Sequence, residues 1–174
     1  SVSVKVAVTA DRTTTADLHM MAISTVELPL TDGLVAFYPF NGNANDGSGK
    51  ENHGTVYGAA LTADRFARPD SAYRFAERDY IDIQDRSALD FMWDFSIAAW
   101  VMKTEEWSET HPMIVAKNPI NEAYILWVNH DDRGDMSTAD LSLRVNIDGE
   151  LYTCRSGVIP ELDRWYSVVG IRRG

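Results

Sequence analysis

From Leu34 onward, apolar residues come in short runs separated by clusters of Gly, Asn, Asp and Pro. The runs are rich in Val, Ile, Phe, Tyr and Trp, the residues that fit a pleated, half-buried surface. This pattern predicts strands at 34–40, 54–60, 72–76, 79–84, 95–102, 112–117, 123–129, 141–147, 150–155 and 165–173. Alternation is clearest where Phe95, Ile97, Ala99 and Val101 interleave with Ser96, Ala98 and Trp100. It recurs where Tyr80 and Asp82 oppose Ile81 and Ile83. No amphipathic helix is predicted, and Ser87 to Trp93 reads as one short turn. The first 30 residues differ. SVSVKVAV alternates and can form a short strand, but DRTTTADLHMMAIST has no clear period, so residues 1–30 read as an extension or linker before a domain at 31–174.

Many strands at short spacing predict an all-β fold, an antiparallel β-sandwich or jelly roll. The 174 residues suffice for one domain with a sizeable core. A net charge of -10 argues against nucleic acid, whose phosphates need a basic face, and against anionic membrane surfaces. The same charge suits a protein that gathers cations on clustered oxygens. A single cysteine, Cys154, excludes an internal disulfide framework and a thiolate zinc cluster. No apolar run is long enough to insert across a membrane as a helix.

Three blocks carry a family resemblance. The first is LVAFYPF followed by NGNANDGSGKENHG, the second DFSIAAWV, the third RWYSVV. Together, over about Gly33 to Arg172, they resemble the laminin-G-like group of concanavalin A-like jelly rolls, common in large secreted bacterial proteins. The chain departs from that pattern at Phe75-Ala76-Glu77, where the family usually has Phe-Asp-Gly. It also stops at Gly174, before the closing strands the resemblance implies. Open sheet edges are therefore expected, and with them pairing to another chain, such as a homodimer. The resemblance implies a secreted or cell-surface location, although no signal segment is visible in this sequence.

The loop Asn41 to Gly54 has two readings. It offers Asn41, Asn43, Asn45, Asp46, Ser48, Glu51 and Asn52 as oxygen donors, and calcium takes six to eight oxygens. It is not an EF-hand, because Asp46 and Asn52 stand where that loop needs Gly and Glu. The resemblance implies a structural calcium near this loop, with Asp46, Asn43 and Asn52 as the candidate ligands. The other reading is a turn, since Asn and Gly accept positive φ and Asx side chains cap their own backbone.

The strands at 123–129 and 141–147 predict a hairpin. Leu126 and Val128 then face the core with Leu143 and Val145. Trp127 and Asn129 share the outer face with Arg144 and Asn146, with Trp127 opposite Arg144. An exposed Trp beside Arg and two amides can hold a sugar by ring stacking and planar hydrogen bonding. The same pair can equally be a cation–π contact that covers the sheet. Trp107 is a further candidate ligand-facing aromatic. Asp131, Asp132, Asp135 and Asp140 crowd one loop as a second cation site or a solvated loop. Arg133-Gly134-Asp135 spells a tripeptide that integrins read, a cheap match.

Jelly rolls of this class include glycoside hydrolases with paired carboxylates on one strand. Glu161 and Asp163 superficially resemble that motif, but the third carboxylate would fall at Tyr166, and both acids sit in a turn after Pro160. No catalysis is expected. The expectation is a non-catalytic module that recognises a glycan or a cell-surface protein. The alternative is a structural module that assembles through open edges.

Overall fold

A computed structural model describes residues 3–10, 33–91, 93–105, 112–117, 123–129 and 138–173. The fold is all-β, with antiparallel strand pairing throughout its sheets. The chain divides into two compact units, one of Ser1–Thr15 with Asp90–Gly174 and one of Ala16–Leu89.

The first unit holds β1 (Ser3–Ala10), β6 (Phe95–Met102), β7 (Met113–Lys117), β8 (Tyr124–Asn129), β9 (Asp140–Ile147), β10 (Glu150–Arg155) and β11 (Trp165–Arg173). They form a three-stranded sheet, β1-β11-β6, and a four-stranded sheet, β10-β9-β8-β7. One core joins them. Leu126 and Val128 of β8, Leu141, Leu143 and Val145 of β9, and Tyr166 and Val168 of β11 are buried together. Phe95, Ile97, Ala99 and Val101 of β6 pack against the same cluster. Side chains alternate across a strand, so β6, β8, β9 and β11 each give one row to this core. The two facing sheets and their shared core make a β-sandwich.

Gly170 shows how closely the sheets approach. A Cβ at this β11 position would lie 3.0 Å from Leu143 Cδ2, so glycine leaves room for the leucine. The β9–β10 hairpin turns at Asp148 and Gly149, whose φ values of 53° and 88° are those of a type I′ turn. Arg172 ends the buried row of β11 and donates to the Trp93 carbonyl at 3.1 Å.

The N-terminal run SVSVKVAV, whose alternation suits a short strand, does enter one. β1 runs along β11 from Ser3 opposite Arg173 to Ala10 opposite Tyr166. Among the described residues of this unit, β1, β6, β7 and β10 pair along one side only.

The second unit holds β2 (Gly54–Tyr57), β3 (Ala60–Thr62), β4 (Ala72–Arg74) and β5 (Tyr80–Ile83), paired as β2–β5 and β3–β4. The short turn expected after Ser87 is a 3-10 turn at Ser87–Leu89. One expected strand does not form. Residues 34–40 pair with no strand, because their main-chain groups bond the following loop instead. Phe37 N–H donates to the Asp46 carboxylate at 2.9 Å, and its carbonyl accepts from Gly47 N–H at 2.7 Å. The Val35 carbonyl accepts from Asn52 Nδ2 at 2.9 Å.

Candidate functional site

The outer face of the β8–β9 hairpin carries four of the predicted ligand-binding residues. The predicted face is correct, but the register is one pair off. Ser142 lies opposite Trp127, and Ile125 lies opposite Arg144. Trp127 and Arg144 are thus diagonal neighbours, still within reach of long side chains. The guanidinium carbon sits 4.5 Å from the Trp127 ring centroid. Arg144 Nε also donates to Thr153 Oγ1 of β10 at 3.0 Å, which fixes the head group.

The expected exposure of Trp127 is corrected. It is only 8% accessible, and Ile125 and Ser142 on the same face are buried with it. β8 is interior on both faces, as central strands often are. The alternation of the sequence identifies the two faces of β8 but cannot show that both are covered. The arrangement is that of the cation–π alternative.

The two amides do not converge on the ring. Asn146 Oδ1 accepts from Gly149 N–H at 2.9 Å and so caps the β9–β10 turn. Asn146 N–H bonds the Ala123 carbonyl at one end of β8, while Asn129 lies opposite Asp140 at the other. Six residues of strand separate those ends by roughly 20 Å. Asp140 is buried and serves the fold. It accepts from Ser142 Oγ at 2.8 Å, from Arg155 Nε at 3.1 Å and from Gly157 N–H at 2.9 Å. Trp107, Asp131, Asp132, Asp135 and the Arg133-Gly134-Asp135 tripeptide lie outside the described residues. Glu161 binds Arg164 Nη1 at 2.9 Å, and Asp163 occupies a left-handed turn position with φ of 55°.

The loop after Phe40 is organised by Asp46, which is 7% accessible. Asp46 Oδ1 accepts from Phe37 N–H at 2.9 Å and from Ser48 N–H at 2.8 Å. Its Oδ2 accepts from Ser48 Oγ at 2.7 Å and from Asn52 N–H at 3.0 Å. Burial raises its pKa, but the hydrogen bonds from Phe37, Ser48 and Asn52 outweigh burial and bring it down to about 2. Asp46 N–H donates to His53 Nδ1 at 3.1 Å, a bond only a ring bare at Nδ1 can accept.

These residues do not fit calcium as direct ligands in this arrangement. A carboxylate has about four acceptor sites, and four donors already meet those of Asp46. Asn43 Oδ1 accepts from Asn45 N–H at 2.8 Å, an Asx turn. Asn52 Oδ1 is buried without a hydrogen-bond partner, while its Nδ2 is held by Val35. One neutral amide oxygen is far from the six to eight oxygens of a calcium cage. Among the described residues, no three His, Cys, Asp or Glu side chains cluster as metal ligands.

A pair of aromatic residues on β2 and β5 was not among the predicted site residues. Tyr57 lies directly opposite Tyr80, and their rings stack with centroids 4.7 Å apart and planes 19° from parallel. Both are about half exposed, at 47% and 52%. The next pair on this face is Thr55 opposite Asp82, also exposed. Val56, Ile81 and Ile83 turn to the other face, which is more buried. Gly54 lets the two strands close. A Cβ there would lie 2.5 Å from Ile81 Cγ2. The alternation of Tyr80 and Asp82 against Ile81 and Ile83 was the available signal. Only the pairing of β5 with β2 brings Tyr57 to Tyr80.

No family model, curated protein or solved structure matches this chain.

Proposed function

We propose that the chain is a non-catalytic recognition module of the jelly-roll class, and that it binds a neutral glycan on the outer face of β2 and β5. The observation that carries this reading is the exposed Tyr57–Tyr80 stack. Stacked on each other, the two half-exposed rings each have one face turned away from the partner ring, and the apolar face of a pyranose packs against such a ring. Thr55 and Asp82 stand beside them on the same face, and their hydroxyl and carboxylate can bond sugar hydroxyls. The net charge of -10 favours an uncharged sugar over an anionic one.

The test is a screen against immobilised neutral oligosaccharides, followed by affinity measurements on Tyr57→Ala and Tyr80→Ala. Each substitution removes one exposed ring and is expected to weaken binding about tenfold, the equivalent of about 1.4 kcal/mol. A Trp127→Phe variant should bind as wild type, because that ring is buried. Glycan binding that is indifferent to both tyrosines, or no binding to any neutral sugar, would sink the reading.

A further inference from the structure

We infer that the loop from Asn41 to Gly54 is built around an internal anion, Asp46, and needs no divalent cation to fold. The loop has the composition of a cation site, rich in Asn, Asp, Ser and Gly. Its one buried carboxylate is nonetheless spent inward, on donors of the loop itself. A calcium ion would hold such a loop by drawing oxygens to a central positive charge. Here the polarity is reversed, with a central negative charge drawing donors. Phe37, Ser48 and Asn52 each give a backbone N–H, and Ser48 adds its hydroxyl. Charge-assisted bonds of this kind are stronger than neutral ones. They also tie three separate stretches of chain to one side chain. Phe37 lies 9 residues before Asp46, and Asn52 lies 6 after it.

Further bonds close the loop without involving any cation. Gly54 N–H donates to the Ala44 carbonyl at 2.9 Å, and Asn52 Nδ2 donates to the Val35 carbonyl at 2.9 Å. Gly42 N–H donates to the Asp70 carbonyl at 2.8 Å. A cation seated on Asp46 would have to displace the Phe37, Ser48 and Asn52 donors from the carboxylate and leave the buried Asn52 N–H without a partner, which is costly.

The test is thermal unfolding of the whole chain in EDTA and in millimolar calcium chloride, with calorimetric titration of calcium alongside. The expected result is a Tm equal within about 1 °C in the two conditions and no titration heat, since a ligand of the folded form must raise Tm. Asp46→Asn keeps the size of the side chain but removes its charge and two acceptor sites. It is expected to lower Tm by about 5 °C, and calcium should not restore the loss. If Asp46→Asn cannot be obtained folded, Ser48→Ala, which removes the hydroxyl donor, should lower Tm by a smaller amount that is equally blind to calcium. A calcium-dependent rise of several degrees in the wild type would overturn the inference. So would an Asp46→Asn or Ser48→Ala chain that melts like the wild type. None of these readouts depends on glycan binding.

Discussion

The two compact units are held together in different ways. In the unit of Ser1–Thr15 with Asp90–Gly174, order comes from apolar packing. Leu126, Leu143 and Val168 are fully buried between two sheets, and Gly170 makes room for Leu143. In the 16–89 unit, the segment from Val35 to Gly54 has little regular structure and is ordered by one carboxylate and its four donors. The first mechanism is non-directional and scales with the area removed from water. The second is directional and depends on one ionisation state. A change in packing should therefore damage the sandwich, and a change in charge or pH should damage the loop.

The largest effect should come from the sandwich. Leu143→Ala removes a side chain with no solvent exposure from the centre of the core. It is expected to cost about 2–5 kcal/mol, the sum of lost burial and the cavity left behind. Urea unfolding followed by Trp fluorescence would measure it. A loss below about 1 kcal/mol would mean that the two sheets do not share this core.

Acid should single out the loop. The Asp46 carboxyl has its pKa lowered from 3.8 to about 2, so the native state favours the charged form. A depressed pKa stabilises the fold above the unfolded value, and that stability is lost as pH falls from about 4 towards about 2. The contribution at neutral pH is roughly 2 kcal/mol. Hydrogen exchange of the Phe37, Ser48 and Asn52 amides should speed up over this window. The amides of β8 and β9, paired strand to strand, should keep their protection. Equal loss in both regions would mean that the loop and the sandwich are not held in different ways.

The smallest effect tests a contact that looked functional in the sequence. Arg144→Ala removes the guanidinium from over Trp127 and its bond to Thr153. It should cost about 0.5–2 kcal/mol of stability, the range of an exposed to a desolvated cation–π contact. It should leave glycan affinity unchanged, which a titration against the screened sugar would check. A large fall in affinity would return the site to the β8–β9 face.

Much of the fold was legible because period-2 patterning is local. Nine of the ten predicted strand regions hold a strand, and Leu126, Val128, Leu143 and Val145 face the core as their alternation required. The turn between β9 and β10 falls in the gap left between two predicted strands, at Asp148 and Gly149, both with positive φ. The failure at 34–40 is instructive. LVAFYPF has the composition of a strand, yet its main-chain groups are claimed by Asp46, Gly47, Ser48 and Asn52, residues that the pattern treats as a mere connector. Propensity describes a residue's fitness for a strand, not the partner available to it.

The candidate sites divide along the same line. The sequence placed Trp127 and Arg144 on one face, and they do meet there, but it could not reveal that the face is covered. Tyr80 was visible as an outward residue, but Tyr57 became its partner only when β2 and β5 paired across 22 intervening residues, from Gly58 to Asp79.

The sequence by itself determined that this is a β protein, acidic, with strands whose inward residues could be read by alternation. Those properties follow from side-chain chemistry and the two-residue repeat of an extended chain. Tertiary structure decided the rest. It paired Ser3–Ala10 with β11, buried Trp127, exposed Tyr57 beside Tyr80, and turned an oxygen-rich loop inward onto Asp46. Each of those outcomes depends on which groups meet across long stretches of chain, and no local pattern encodes that meeting.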